Sequence, residues 1–493
     1  MKVYNTYTKR LEDFTPREAG KVSMYVCGMT PYDSMHLGHA RAFLVYDMMR
    51  RYLEWRGFEV THIQNVTDVD DKIIRRAHEL GVSPCALAER FTAESLEDCD
   101  ALGIVRAHHY PRVTEHIPEI IDLIQRLLDK GFAYVTPSGS VYFRVRAFDR
   151  YGQLSGRDVE DLTDAQARIE ADPEKEFRGD FALWKAAKPG EPAWDSPWSQ
   201  GRPGWHIECS AMSTKYLGAG FDIHGGAIEL LFPHHENELA QTEAAADVHP
   251  CIRYWLHCGI VTINGQKMSK SLGNFLTVKE ALAIAPRNVW RMLLMMTDYR
   301  TPVDFSTPDR TGSPQEIARR AVMAKLVPAR SAWERVQIAV QRADELIRET
   351  GKSGNGETVN TPLTQAVRQR FIEAMDNDFG TPAALAVVFD LIGEMNKVIA
   401  QVEERRDDTL LAALAGARAT VKELLGVLGF SFEEAVTRRA DLAPQLIDLL
   451  IRVRQRARQE KQYALADYVR SELAALGVVL EDRKDGTTWR QKT

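Results

Sequence analysis

Two short segments, far apart in the chain, carry the residue types that bind a polyphosphate. The first is His36-Leu37-Gly38-His39, and it follows an apolar stretch and precedes helical apolar spacing. A helix N-terminus favours anions through its free N–H groups and its macrodipole, and two histidines can add hydrogen bonds to phosphate oxygens. Gly38 has no Cβ, so a flat ring can lie against the backbone. The pattern favours a nucleotide site, although a helix start with two solvated histidines fits it too.

The second segment, residues 267–271, lies between Gly265 and Gly273 and has the sequence Lys-Met-Ser-Lys-Ser. Flanking glycines suit a mobile loop, and Lys267 and Lys270 can neutralise charge that develops on a pentavalent phosphate. A solvated basic loop is the alternative for this segment alone. Together, and in this order, the two segments predict a site that handles the α-phosphate of ATP.

The elements that must position these residues alternate between strand and helix. Residues 21–28 and 58–63 read as strands, residues 38–55 read as a helix that Gly57 ends, and another helix begins near Val69 or Asp70. This alternation predicts a Rossmann-like parallel sheet with a right-handed crossover. Ligands of such sheets bind beyond the carboxyl ends of the strands, where residues 27–39 and 65–71 fall.

Longer segments point to one family. The two phosphate-binding segments resemble the HIGH and KMSKS signatures of class I aminoacyl-tRNA synthetases. The chain resembles the cysteinyl-tRNA synthetase family almost end to end, most specifically in residues 24–28, 65–72, 201–212, 232–238, 466–470 and 487–490. The resemblance implies activation of L-cysteine with ATP, accompanied by Mg²⁺, and transfer of the cysteinyl group to tRNA(Cys).

Four further residues could bind a metal. His234 and Glu238 are four positions apart and share a helix face, and Pro233 suits the first turn of that helix. With Cys27 and Cys209 they make a plausible tetrahedral Zn²⁺ site, and thiolates argue against Mg²⁺ or Ca²⁺. Spacing alone leaves open that these are four unrelated residues. The family resemblance implies that all four are the zinc ligands.

Two neighbouring residues could bind the metal instead. His235 and Glu236 lie on other faces of the same predicted helix, and we expect them to support the site. A free thiol is mostly protonated at pH 7, but Zn²⁺ deprotonates a coordinating thiol, and serine's hydroxyl is a far poorer ligand. Zinc is therefore predicted to select cysteine as a recognition element, without a separate editing domain.

The resemblance also assigns the remaining site residues. Those around the amino acid are Gly28, Thr67, Trp205 and His224. Those that bind ATP are His36, Gly38, His39, Lys267, Ser269 and Lys270, of which the two histidines and two lysines are catalytic. Ordinary core aromatics would equally explain Trp205 and His224, and a helix N-cap would explain Thr67-Asp68. Ala227 and Glu229 stand where the family usually has glycine and aspartate, which affects the fit of adenosine or the tRNA end.

The boundaries of the predicted domains follow changes in pattern along the chain, and the family resemblance implies the stem-contact, bundle and anticodon-binding assignments. Residues 1–117 and 200–250 are the two halves of the catalytic domain, and 118–199 is a connective insertion with a helix at 120–128 and a hairpin at 131–145. Residues 251–312 are a stem-contact region with the KMSKS loop. A helical bundle, 313–430, contains helices at 315–350, 364–402 and 412–425 and a linker at 351–361. A small anticodon-binding domain, 431–493, has two helices and a β-like end.

The composition of the chain limits which partners it can bind. The net charge is -6, so RNA contact requires a local basic surface. A basic run near the C-terminus offers one, and Trp489 could stack on a splayed base or instead seal a small core. The run comprises Arg452, Arg454, Arg456, Arg458 and Lys461, which a solvated helix face would also explain. The sequence shows no export signal and no long apolar run, and the six cysteines suit an intracellular protein, so we expect a cytoplasmic location. The family resemblance implies a monomer.

Three rival functions remain at this stage. A cysteine ligase that uses an amino sugar would share the activation step, but it would not need the long C-terminal third. A zinc hydrolase built on residues 234–236 would leave the lysine segment unexplained. A non-enzymatic RNA-binding module would have no use for an ATP site.

Overall fold

A four-stranded parallel sheet forms the centre of the computed structural model. Its strands are β3 (Lys21–Met29), β4 (Glu59–Val66), β9 (Phe221–Ala227) and β10 (Ile252–Cys258), in the spatial order β10-β9-β3-β4. The predicted strand–helix alternation is confirmed, because α1 (Leu37–Trp55) follows β3 and α2 (Asp71–Leu80) follows β4. In register, Tyr25 pairs with both Ile63 and His224. The carboxyl ends of β3, β4 and β9 therefore meet at one edge.

The structure describes residues 1–160, 172–270, 272–349, 361–405, 407–432, 434–483 and 486–491. Ser271 of the lysine segment, most of the predicted linker 351–361 and part of the acidic stretch 158–176 lie outside these ranges. None of the described helices combines the length and apolar character that a membrane crossing requires.

The predicted insertion contains a helix and a small antiparallel sheet. Helix α3 (Pro84–Ala101) precedes it, and α4 (Ile117–Asp129) begins it. The sheet has the order β5-β6-β7-β8, from Ala133–Val135, Val141–Phe143, Phe181–Ala186 and Gly201–Pro203. The predicted hairpin is its first strand pair. The apolar face of α4 packs into the same core as the ends of β3 and β10.

Two helices return the chain to the main sheet. α5 (Trp205–Leu217) precedes β9, and α6 (Glu236–Ala246) follows it after a wider π-type turn, Leu231–His235. Within that turn Phe232 has an extended conformation, and helical backbone continues from Pro233 through His235 into α6. Pro233 therefore occupies the first turn of this helical segment, as predicted.

The remaining β-structure flanks this core. A hairpin, β1 (Lys2–Asn5) and β2 (Arg10–Asp13), packs beside β10. A three-stranded sheet of order β12-β11-β13 holds the lysine segment, from Val261–Ile263 (β11), Gln266–Lys267 (β12) and Val303–Phe305 (β13). Between β12 and β13 lie α7 (Val278–Ile284) and α8 (Arg287–Met295).

The helical bundle comprises α9 (Pro314–Glu349), α10 (Pro362–Met375), α11 (Thr381–Glu404) and α12 (Asp408–Val427). The stretch 364–402 is two helices and not one. The chain breaks between them because Asp378 and Phe379 adopt left-handed conformations, with φ of 57° and 53°. Asp378 is held there by hydrogen bonds from Tyr299 and Arg300.

The chain divides into two compact units, Met1–Phe430 and Ser431–Thr493. The second contains α13 (Glu434–Gln459), α14 (Tyr463–Ala475) and a hairpin of β14 (Val478–Arg483) and β15 (Gly486–Gln491), as predicted. Trp489 packs against its small apolar core and donates to Asp448 at 3.2 Å, so this side chain seals a core. Arg454 of the basic run is buried and paired with Asp482.

Candidate active site and metal centre

The first phosphate-binding segment caps α1. His36 is the N-cap, and its Nδ1 accepts a hydrogen bond from the Gly38 N–H at 3.0 Å. The His36 and His39 rings stack with centroids 4.0 Å apart. Burial, followed by the charge of Lys270, lowers the pKa of His36 to about 4, so the imidazole is neutral at pH 7. Its Nδ1 is engaged by Gly38, which leaves Nε2 for a ligand.

The second segment lies against the first. Leu37 N–H donates to the Leu276 carbonyl at 3.1 Å, which joins the start of α1 to the chain just after the lysine segment. Asn274 accepts from the Ser269 N–H at 2.8 Å and donates to the Lys267 carbonyl at 3.1 Å. The fold thus brings together the two segments that the sequence separates.

Both lysines of this segment have anionic neighbours. Lys267 forms an ion pair with Glu229, one of the two residues that depart from the family pattern. Lys270 Nζ lies 3.4 Å from the Asp33 carboxylate and 4.7 Å from the centre of the Tyr32 ring. Burial lowers the pKa of Lys270. Without a ligand, these two carboxylates therefore neutralise the lysine charges that a bound triphosphate would contact.

The four predicted metal ligands converge. The ligand atoms of Cys27, Cys209, His234 and Glu238 all lie within 4.8 Å of one another, and all four residues are buried. His234 Nε2 lies 2.8 Å from Glu238 Oε1, so the junction between the π-type turn and α6 keeps these two side chains on one face. Two sulfurs, one imidazole and one carboxylate are a donor set that fits tetrahedral Zn²⁺.

A second set of donors overlaps the first. Cys27, His224, His235 and Glu238 also lie within 4.8 Å of one another, with His235 Nε2 only 3.2 Å from Cys27 Sγ. His235 Nδ1 in turn lies 2.8 Å from a nitrogen of His257. The first set has the stronger chemical case because it provides two thiolates in place of one.

The charge states within the first set are unequal. Burial raises the pKa of Cys27 well above its usual value. Burial alone would raise that of Cys209 too, but hydrogen bonds from Cys27 and His234 lower its pKa to about 6. Burial would lower the pKa of His234, but Glu238 and Cys209 raise it to about 10. Without metal, the cluster therefore contains a Cys209 thiolate beside a His234 imidazolium at pH 7.

Glu236 has a supporting contact, as predicted. Its buried carboxylate accepts hydrogen bonds from the N–H groups of Gly152 (2.9 Å) and Ser155 (2.7 Å). These bonds fix a loop of the predicted insertion to the start of α6, next to the turn that carries His234.

The predicted amino-acid pocket lies beside the metal ligands. The Trp205 ring stacks on His234 with centroids 4.2 Å apart, and His224 stacks on Tyr25 at 5.3 Å. Gly28 N–H donates to Asn65 at 2.8 Å, and Thr67 donates to Glu208 at 3.1 Å.

The N-cap of α2 is Asp70, which accepts from the Lys72 N–H at 2.8 Å. Asp68 instead accepts from Thr114, so neither Thr67 nor Asp68 caps this helix. The alternative that Thr67-Asp68 serves as an N-cap is therefore wrong.

Sequence reasoning missed Asn65 and Glu208 as pocket residues. Both are buried, at 2% and 1% exposure, and both contact predicted site residues. Glu208 directly precedes the predicted ligand Cys209 on α5, and Asn65 is the penultimate residue of β4. The position of Glu208 next to Cys209 was the only signal in the sequence, because no spacing rule indicates that β4 and α5 face each other.

Comparison with known proteins identifies the family. A model described as the tRNA synthetases class I (C) catalytic domain matches residues 13–311. A DALR domain model matches residues 370–433, and a cysteinyl-tRNA ligase anticodon binding domain model matches residues 440–490. A cysteine–tRNA ligase of Desulforamulus reducens is 46% identical over 501 residues, covering 100% of both chains.

The chain belongs to the cysteine–tRNA ligase family.

A second relative is similar over its whole length. A cysteine–tRNA ligase of Thermococcus onnurineus is also 46% identical, over 100% of this chain and 99% of its own. Among solved structures, Mycobacterium tuberculosis methionyl-tRNA synthetase in complex with methionyl-adenylate aligns with a TM-score of 0.57 at 15% identity, covering 83% of this chain and 90% of that one. At that identity the likeness concerns the fold alone, which is the class I synthetase fold that the sequence predicts.

Proposed function

We propose that this cysteine–tRNA ligase selects its amino acid through a zinc ion held by Cys27, Cys209, His234 and Glu238. The ligase reaction has two steps: cysteine reacts with ATP to give cysteinyl-adenylate and pyrophosphate, and a terminal ribose hydroxyl of tRNA(Cys) then takes the cysteinyl group and releases AMP. One observation carries the proposal, namely the convergence of these four buried donors at the carboxyl end of β3.

The donor chemistry supports zinc over harder metals. Zinc, when bound, supplies a Lewis acid that takes the substrate sulfur as a thiolate. Trp205, His224 and Gly28 then act as pocket walls, and Thr67 offers a polar contact to the rest of the amino acid. Serine lacks the thiol and loses the strongest of these interactions.

The ATP half of the site follows from the meeting of the two segments. His36 and His39 hydrogen-bond to phosphate oxygens at the start of α1, and Gly38 leaves room for the nucleotide there. Lys267 and Lys270 stabilise the charge that develops in the transition state, Ser269 contacts the nucleotide, and Mg²⁺ accompanies ATP. Most of the rate arises from positioning and electrostatics, since no covalent enzyme intermediate is needed.

The domain assignment is part of the proposal. Residues 1–117 and 200–250 form the catalytic domain, 118–199 the connective insertion, 251–312 the stem-contact region, 313–430 the bundle and 431–493 the anticodon-binding domain. The matched anticodon binding domain model, at 440–490, supports the last of these. The chain is proposed to act as a monomer in the cytoplasm.

Aminoacylation of purified tRNA(Cys) tests the proposal. The protein is assayed with cysteine and with serine, before and after zinc removal by a chelator, and His234→Ala is compared with a control at the exposed His78, His78→Ala. We expect both zinc removal and His234→Ala to abolish the preference for cysteine, and His78→Ala to retain it. Unchanged cysteine affinity in the zinc-free protein would refute selection by zinc.

A second assay tests the lysines. Lys270→Ala removes a cation that lies beside the start of α1, so ATP–pyrophosphate exchange should slow by at least tenfold. A rate within about twofold of the unaltered protein would contradict the role of Lys270 in the transition state.

A further inference from the structure

Lys72, at the start of α2, is a cation beside the proposed ATP site to which no role has been given above. Its Nζ lies 5.7 Å from the centre of the Tyr32 ring, and Lys270 Nζ lies 4.7 Å from the same centre. The negative face of an aromatic ring attracts ammonium groups at such distances. One tyrosine therefore holds two lysines that come from distant parts of the sequence.

The Tyr32 ring is itself held in place. It lies in the connection between β3 and α1 and packs against an apolar cluster that α2 and α3 form between them. The buried members of this cluster are Ile73, Ala77, Leu87, Ala88 and Phe91. The two ammonium groups are thus positioned by a ring that two helices support.

Lys72 differs from the two lysines of the lysine segment in its ionic contacts. Lys267 is paired with Glu229, and Lys270 is paired with Asp33. In the part of the chain that the structure describes, no carboxylate forms an ion pair with Lys72, and its side chain is exposed. An arriving anion can therefore contact Lys72 without displacing a carboxylate.

The charge of Lys72 reaches the segment that caps α1. Burial, then His36, lowers the pKa of His39 well below its usual value, and the charges of Lys270, Lys72 and Lys267 lower it further. Three cations thus act on one ring at the start of α1. Their combined field favours a polyanion bound there.

Lys72 also faces open space within the catalytic domain. It lines a cavity of about 750 Å³ together with Thr30, at the end of β3, and Trp205, a wall of the predicted amino-acid pocket. A ligand that extends from that pocket towards the start of α1 therefore has access to this lysine.

We propose that Lys72 is a third phosphate-binding cation of the ATP site, and that Tyr32 is a positioning residue that holds Lys72 and Lys270 for the phosphates. The inference rests on the proposed function, because that function places the ATP phosphates at the start of α1. Lys267 and Lys270 must leave their carboxylates before they bind phosphate, whereas Lys72 is available as soon as ATP arrives.

ATP–pyrophosphate exchange, with KM measured separately for ATP and for cysteine, tests Lys72. Lys72→Gln removes a charged contact with phosphate, so KM for ATP should rise about tenfold, and KM for cysteine should change by less than about twofold. Lys72→Arg keeps the charge and should restore most of the ATP affinity. An unchanged KM for ATP in Lys72→Gln, or an equal rise in KM for cysteine, would overturn the inference.

A matched control separates local from general charge effects. Lys397→Gln removes the same charge from α11, where the lysine side chain is 70% exposed, and it should change neither KM. A rise in KM for ATP in Lys397→Gln equal to that in Lys72→Gln would show that only the net charge matters and would overturn the inference too.

Two substitutions test the role of the ring. Tyr32→Phe keeps the aromatic face and should retain most of the ATP affinity, whereas Tyr32→Leu keeps apolar volume without the face and should raise KM for ATP about threefold. The effects of Tyr32→Leu and Lys72→Gln should be less than multiplicative in the double variant, since both remove one contact. If Tyr32→Leu does not fold, Tyr32→Met replaces it. Equal KM values in the Phe and the aliphatic variant would contradict the positioning role.

The proposed function fails in a different measurement. If Lys270→Ala catalyses exchange at the rate of the unaltered protein, the proposed ATP site is wrong whatever Lys72 does. If Lys270→Ala is slow but Lys72→Gln has a normal KM for ATP, only the inference is wrong.

Discussion

At the scale of single residues, the pairing of Lys267 with Glu229 bears on how the site receives ATP. In the proposed ATP site, the Glu229 carboxylate and an incoming triphosphate would compete for the Lys267 ammonium group, so the pair would affect ATP binding more than the reaction class. Both partners are substantially exposed, at 42% and 38%, so the pair contributes only modestly to stability.

Removing that competitor should favour ATP. Glu229→Gln frees Lys267, and an exposed pair of this kind corresponds to roughly 0.5–1 kcal/mol, so the KM for ATP should fall about threefold in pyrophosphate exchange. Glu18→Gln, which breaks the exposed pair with Lys21, is the control and should leave KM unchanged. A rise in KM for ATP would instead assign Glu229 a direct contact with the nucleotide.

The unequal charge states of the metal ligands predict proton release. At pH 7 the raised pKa values leave Cys27 and His234 protonated, whereas Cys209, with a pKa of about 6, is mainly thiolate. Zinc requires deprotonated ligands, so binding to the metal-free protein should release about two protons.

Calorimetric zinc titrations in two buffers of different ionisation enthalpy measure this number. His234→Ala removes one protonated ligand but also one of the hydrogen bonds that lower the pKa of Cys209, so Cys209 becomes protonated and the number should stay near two. Release of no proton at pH 7 would contradict the assigned charge states.

At the scale of elements, Arg41 joins α1 to the strands that carry the lysine segment. It is fully buried, and its guanidinium donates to the carbonyls of Gly259 (2.8 Å), Tyr299 (3.2 Å) and Thr301 (2.5 Å). Gly259 allows its chain segment to pass close to Thr301, since a Cβ at position 259 would lie 2.6 Å from the Thr301 carbonyl. Arg41 and the backbone hydrogen bond from Leu37 to Leu276 therefore hold the two phosphate-binding segments together.

Arg41→Met should separate them. Loss of the guanidinium leaves buried carbonyls without donors, so the free energy of unfolding should fall by roughly 2–4 kcal/mol. Pyrophosphate exchange should slow by at least tenfold while zinc content stays constant, because the metal ligands lie elsewhere. Denaturant titration, exchange kinetics and metal analysis measure the three effects. The control Arg90→Met, at an exposed position, should change neither the free energy of unfolding nor the exchange rate. An unchanged rate of pyrophosphate exchange in Arg41→Met would contradict the role of Arg41 in holding the two segments together.

Sequence periodicity predicted the elements where local pattern and tertiary contacts agree. β3, α1 and β4 follow from apolar spacing and Gly57, and the segments they carry meet as predicted. The break at Asp378 was missed because its left-handed residues are not glycines and are held by side chains distant in sequence. Glu208 was missed for a related reason, since its contact with Thr67 exists only once α5 packs against β4.

At the scale of the whole molecule, buried histidines make stability depend on pH. Burial, then the charges of Arg50 and His108, lowers the pKa of His62 to about 3. The pKa of His257 is likewise about 3. In the unfolded chain these groups titrate near 6.5, so below that pH the unfolded state binds more protons. The stability that these neutral histidines contribute is complete above pH 6.5 and declines as the pH falls towards 3.

His62→Leu should reduce this dependence. One such histidine adds about 1.4 kcal/mol per pH unit to the slope of stability below pH 6, and the substitution removes that increment. Urea denaturation at pH 6 and at pH 5 gives the slope. His78→Leu, at an exposed position on α2, should leave it unchanged because water surrounds this ring in both states. A slope in His62→Leu equal to that of the unaltered chain would contradict the assignment.

The closeness of Cys27 and Cys209 has a consequence for the redox behaviour of the protein. Their sulfurs lie within 4.8 Å of each other, and Cys209 already holds the thiolate that attacks oxidants. A zinc ion bound as proposed would occupy both sulfurs, whereas the metal-free pair needs only a short approach to close a disulfide bond of about 2.05 Å when an oxidant takes up the two electrons. In the proposed site, loss of zinc would therefore leave the pair open to oxidation, and the disulfide would block rebinding of the metal until a reductant opened it.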